Sequence, residues 1–155
     1  MLKALKVAAV CLAVLFAGAQ FVRPSRTNPA AEPGRSLEEH VAVPPEVAEV
    51  LERSCADCHS NRTRWPWYSR VAPASWFVAD HVNHGRRHLN LDDWARYGPR
   101  ESADMLRHIC HEARVGSMPL GSYTLLHPRA RLTPRDVQAL CGWAEKSVAG
   151  KAGAG

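Results

Sequence analysis

Pro45-Glu46-Val47-Ala48-Glu49-Val50-Leu51-Glu52-Arg53-Ser54 runs without interruption into Cys55-Ala56-Asp57-Cys58-His59, and this junction decides how the chain is read. Val47, Val50 and Leu51 recur at helical spacing behind a proline suited to a first turn, so an amphipathic helix delivers its end directly to the cysteines. The C-x-x-C-H pattern reads as a c-type haem attachment site. Two thiols three positions apart can each form a thioether to one edge of a haem, and the adjacent His59 can turn its imidazole onto the iron. A thioredoxin-like pair requires a βαβ setting, which the periodicity does not provide, and a zinc site requires a second ligand pair that the sequence lacks. A plain Cys55–Cys58 disulfide in a non-haem interaction module stays as an alternative.

Working outward, the apolar periodicity is helical throughout. A segment from Pro73 to about Arg86 carries Trp76, Phe77 and Val78, with Gly85 as its expected stop. Asn90 is placed to cap a short helix through Tyr97, with Asp92 and Asp93 in the first turn, where carboxylates suit the helix dipole. The longest helix is expected from Pro99 to Val115, with Leu106, Ile109, Cys110 and Ala113 on its apolar stripe and Gly116 ending it. Thr133-Pro134-Arg135-Asp136 starts a last helix whose Val137, Leu140, Cys141 and Ala144 share one side. No stretch alternates with period two, so the expected class is all-α.

The chain has 155 residues, room for one domain, and its ordinary apolar and charged fractions exclude a disordered tail protein, a multi-span membrane protein, a collagen and a coiled coil. At the N-terminus Lys3 and Lys6 precede an uncharged run from Val7 to Phe16, followed by Ala17-Gly18-Ala19. This is the pattern of an export signal. Cleavage before Gln20 and retention as an anchor both fit, because Val7 to Val22 falls just short of the roughly 17–25 residues of a spanning helix. Segment 1–22 is thus a signal peptide or membrane anchor. Segment 23–44, with Pro24, Pro29, Pro33 and Pro44, reads as an extended linker, 45–148 as the working domain, and 149–155 as a disordered tail.

Iron held by His59 has an opposite face to fill. Met105 falls beside Leu106 within the long helix, where a methionine ordinarily fills the core. Met118 follows Gly116-Ser117 and precedes Pro119, in a rigid non-helical loop, and is the favoured distal ligand. His/Met ligation is the arrangement of electron-transfer cytochromes c. A histidine, or an open position, stays as the alternative. His81, His84 and His88 share a helical face but read as solvated, as do His108 and His111.

Cys110 and Cys141 form an even remainder on two apolar faces, open to a disulfide or to two buried thiols. Trp65, Trp67 and Arg64 lie just after the haem motif and are candidates for a pocket wall, with the arginine near the haem carboxylates. Ordinary packing is the alternative, since sixteen of the twenty Lys and Arg residues are Arg and a single one carries little information.

With these residues in hand, the chain resembles the bacterial haem-binding domain family, proteins with a single C-x-x-C-H site. The resemblance rests on Gln20-Phe21-Val22-Arg23-Pro24 with Asn28-Pro29, on Ser54 through Asn61, and on Thr63-Arg64-Trp65-Pro66-Trp67-Tyr68. It continues through Gly85-Arg86, Leu89-Asn90, Trp94, Met118-Pro119, and His127-Pro128 with Ala130-Arg131-Leu132. It implies a cytochrome c-like helical domain around one covalently bound haem c, on the periplasmic side of the bacterial inner membrane, anchored or soluble after cleavage. Small single-haem cytochromes c also place a methionine ligand some sixty residues after the motif, and here 59 positions separate His59 from Met118. The expected function is single-electron transfer between periplasmic or membrane redox proteins, with no nucleic acid partner and no catalysis. The alternatives are a haem-based sensor or peroxidase-like protein with an open or weakly ligated iron, and the non-haem module above.

Overall fold

The computed structural model describes residues 1–152 and is helical, with no strand among the described residues. Eight α-helices follow in order: α1 Leu2–Ala19, α2 Leu37–His40, α3 Pro45–Ser54, α4 Ala56–His59, α5 Ala74–His88, α6 Pro99–Val115, α7 Gly121–Leu126 and α8 Pro134–Ala152. Short 3-10 segments occupy Trp67–Arg70, Leu91–Arg96 and Pro128–Ala130.

The helix starts follow from local chemistry. Pro45 and Pro99 stand in first turns, where a missing N–H costs nothing. Ahead of α8, Thr133 and Asp136 close reciprocally: Asp136 Oδ2 accepts from Thr133 N at 2.7 Å, and Asp136 N donates to Thr133 Oγ1 at 3.2 Å. Gly116 ends α6 with φ +73°, the left-handed conformation that favours glycine. Asn90 accepts from Asp92 N as expected, but the segment that it caps is 3-10 and breaks at Asp93.

The core lies where α6 packs on α8 and α8 on α3. Leu106, Ile109 and Ala113 meet Leu140, Trp143 and Ala144, with Val47, Val50 and Leu51 from α3 and Trp94 from the 3-10 turn. Buried indoles find acceptors: Trp94 Nε1 donates to Ser102 Oγ and Trp143 Nε1 to Ala42 O, both at 2.9 Å. Cys110 and Cys141 are joined by a disulfide that staples α6 to α8.

Three segments differ from the sequence expectation. The stretch 23–44 is not a bare linker, since Leu37 and Val41 plug the core and α2 forms between them. Its prolines forbid a long helix but not burial of an apolar side chain. Gly85 does not stop α5, which continues to His88, because the missing Cβ serves a close packing contact described below. The last helix runs through Ala152, so 149–152 are not a frayed tail; alanine is a strong helix former and extends it. Residues 153–155 of the expected tail lie outside the described residues.

Candidate haem-binding site

The chain leaves α3 at Cys55 and at once makes one further turn, α4, in which Cys55 O accepts from Cys58 N at 3.1 Å and from His59 N at 2.9 Å. This turn sets Cys55 and Cys58 on one side with His59 beside them. Both thiols are free. Burial pushes Cys55 up to about 12 and Cys58 up to about 11, with their neighbouring Cys58 and Asp57 charges adding to the rise. Neither is a thiolate at neutral pH, unlike the activated cysteine of a thiol oxidoreductase.

His59 is held from behind. Its Nδ1 lies 3.1 Å from Gly85 O and 3.0 Å from Leu89 O, so the ring carries its proton on Nδ1 and donates it to these carbonyls. That assignment leaves the Nε2 lone pair for a metal, the tautomer logic of a histidine ligand. Burial lowers the pKa of His59, against the two carbonyls, which raise it. The ring is therefore neutral, as a ligand must be.

Gly85 makes this possible. A Cβ there would meet Cys58 O at 2.5 Å, so only glycine lets α5 approach α4 closely enough for its carbonyl to reach His59.

Around the turn, motif residues scattered in sequence bind one another. Arg86 donates to Ser60 O at 2.8 Å, Thr63 Oγ1 at 2.8 Å, Asn28 Oδ1 at 2.7 Å and Thr27 O at 3.0 Å. Asn61 N donates to Asp92 Oδ2 at 2.9 Å and Asn90 Nδ2 to Asn61 Oδ1 at 2.9 Å. Thr63 Oγ1 donates to Asp57 O at 2.7 Å. Apart from the Thr63–Asp57 bond these partners lie 20 to 60 positions apart and leave no signal in local periodicity.

A cleft of about 220 Å³ opens beside Cys58. Its walls are mainly apolar, from Pro66, Phe77, Val78, Val82, Leu120 and Leu126, with Tyr68, His81, Tyr123 and His127 among them. Tyr68 OH and His127 Nε2 are 2.7 Å apart, Tyr123 stacks on His127 at 4.4 Å between centroids, and Tyr123 OH donates to Asp57 Oδ2 at 2.7 Å. Burial raises the pKa of Tyr68, and burial followed by the Asp57 hydrogen bond raises that of Tyr123, so both phenols stay protonated.

The sequence candidates fall unevenly about this site. Arg64 lines the cleft, while its guanidinium already pairs with Asp57 at 3.3 Å. Neither Trp65 nor Trp67 lines it: Trp65 Nε1 donates to Asn28 Oδ1 at 3.3 Å, and Trp67 is 77% exposed. Pro66 and Tyr68 supply the wall from that segment instead, at the start of the 3-10 turn Trp67–Arg70. Met118 stands in the loop after α6, 37% exposed, and is not among the cleft-lining residues; its N–H donates to Glu112 O at 3.3 Å. His84 and His88 meet at a tilt, 4.3 Å between centroids, on the exposed side of α5, whereas His81 reaches the cleft. Tyr123 was not among the sequence candidates for the pocket; His127 was, as one of the histidines available for the face of the iron opposite His59, and it stood among the family's motif residues as well.

A family model described as a haem-binding domain matches residues 14–146. The chain belongs to the haem-binding domain family. Comparison with curated proteins and with solved structures gave no match. This haem-binding protein offers donors that fit the group: two free thiols on one turn and a neutral imidazole fixed through Nδ1.

Proposed function

We propose that this haem-binding protein is a single-haem c-type cytochrome that carries electrons on the periplasmic side of the bacterial inner membrane. Cys55 and Cys58 would hold haem c through thioethers, and His59 and Met118 would supply the ligands to its iron. The observation that carries this reading is the imidazole of His59, oriented by two backbone carbonyls next to a pair of free thiols. Haem supplies a one-electron couple when bound. The residues around it fix the ligand ring, keep the thiols protonated until attachment and exclude water with the apolar side chains beside Cys58. If His59 and Met118 both ligate the iron, none of its positions would be open to a substrate, which favours a carrier over an enzyme, and its partners are periplasmic or membrane redox proteins. Segment 1–22 provides export, as the apolar, unburied α1 supports.

The exposed position of Met118 and the Tyr68–His127 pair favour a second reading, a sensor or peroxidase-like protein with an open iron. A reduced-minus-oxidised visible spectrum of the exported protein, with the long-wavelength iron–sulfur(Met) band sought in the oxidised form, separates them. A c-type spectrum with that band, and no rapid change on adding carbon monoxide to the reduced form, is the expected result. Rapid carbon monoxide binding selects the second reading, and an unmodified Cys55–Cys58 peptide by mass overturns both.

A further inference from the structure

The end of α1 is clamped to the domain. Gln20 pairs in both directions with the backbone of Ala72, its Nε2 donating to Ala72 O at 3.3 Å and its Oε1 accepting from Ala72 N at 3.0 Å. Val22 O accepts from Trp76 Nε1 at 2.7 Å, and Arg26 donates to Ser69 O at 2.7 Å. The apolar helix therefore ends at a fixed joint, where the 3-10 turn Trp67–Arg70 leads into α5.

That joint is surrounded by apolar side chains left in the open: Phe21, Val22, Val71, Trp76 and Phe77. A contiguous patch of this kind marks an interaction surface. The charge pattern says what covers it. The chain has no Asp or Glu from 20 to 31 or from 58 to 79, Arg23 and Arg70 are exposed next in sequence to Val22 and Val71, and the exposed Asp80 is the first carboxylate along α5. Two exposed arginines beside exposed apolar side chains, with an indole among them, match the boundary of an anionic bilayer. The length of α1 agrees: 18 residues rising about 1.5 Å each approach the roughly 30 Å hydrocarbon thickness and leave Gln20 to Val22 at headgroup level.

We infer that the face formed by Phe21, Val22, Val71, Trp76 and Phe77 lies against the membrane, so that the clamp at Gln20 and Trp76 holds the haem-binding domain at a fixed attitude on the bilayer. The inference rests on α1 being retained as an anchor. Phe77 also lines the cleft beside Cys58, so the face and the cleft share a side chain.

The test uses the full haem-loaded chain in vesicles of phosphatidylethanolamine and phosphatidylglycerol doped with a diazirine-bearing phospholipid, irradiated and mapped by peptide mass. Adducts are expected on α1 and on 71–77, the latter several-fold above the level on α6. In a Gln20→Ala/Trp76→Phe variant, adducts on 71–77 fall while those on α1 persist. Adducts on α1 alone in the unaltered protein overturn the membrane-facing attitude and leave the anchor intact. Equal labelling of 71–77 in both proteins overturns the clamp. A mature protein beginning at Gln20, or no adducts on α1, refutes the anchor and this inference with it.

Discussion

His59 and Gly85 act as one unit at the scale of the residue. The imidazole can present Nε2 only because Nδ1 is committed to Gly85 O and Leu89 O, and Gly85 O is in reach only because residue 85 has no Cβ. Gly85→Ala would drive a methyl group to 2.5 Å from Cys58 O, a backbone atom that cannot swing aside. The expected cost is about 1–3 kcal/mol, read as a lowered denaturation midpoint of the haem-loaded protein, together with a changed proximal-ligand spectrum. An unchanged midpoint would mean that α5 yields freely and that the close approach does not position the ring. From sequence alone this glycine looked like a helix terminator, since a C-cap and a close helix contact demand the same residue. The cysteines and His59 were legible because their chemistry is compressed into five consecutive positions. Tyr123 was not legible as a pocket residue, and His127 was only one of seven histidines open to that role, since only the folded chain brings the two to Asp57 and Tyr68.

At the scale of the element, the helices whose ends carry their own punctuation were read correctly. Pro99 and Gly116 bound α6, and Thr133 with Asp136 opens α8. The errors fell where tertiary contact overrides local preference, as in the buried Leu37 of a proline-rich stretch and in α5 beyond Gly85. Asp136 links α8 to α3, because Arg53 Nη2 reaches its Oδ2 at 2.6 Å. Burial works to raise its carboxyl, but the Arg53 hydrogen bond and the Thr133 N–H and hydroxyl hold it below its ordinary value. A carboxyl depressed in the folded chain stabilises fully above its unfolded pKa and loses that contribution as pH falls through the folded one. Asp136→Asn is therefore expected to cost about 1 kcal/mol at pH 7, a figure kept low because the group is partly exposed. The two proteins should converge as pH falls through the depressed pKa of the folded chain. Denaturant titrations at neutral pH and in acid check this, and a gap that persists in acid would assign the effect to packing.

At the scale of the whole molecule, Arg86 ties together parts that the sequence kept separate. Its guanidinium meets Thr27 O and Asn28 Oδ1 from the N-terminal stretch, and Ser60 O and Thr63 Oγ1 from the chain after the haem motif. The segment from Gln20 to Asn28 is thereby laid along the domain rather than hanging from it, which carries the position of α1 to the turn that holds Cys58 and His59. Each hydrogen bond from a charged donor contributes about 1.5–3 kcal/mol, less where solvent competes. Arg86→Met keeps an apolar stem in the same place but removes every donor, so the segment should open locally while the disulfide-stapled α6–α8 core stays closed. Opening by about 1.4 kcal/mol more often means roughly ten-fold faster tryptic cleavage after Arg26 when reclosing outruns the protease. The core fragment should resist cleavage as before. Cleavage after Arg26 at the original rate would show that the Gln20–Ala72 and Trp76–Val22 bonds hold the segment by themselves, and that Arg86 serves only the local geometry of Ser60 and Thr63.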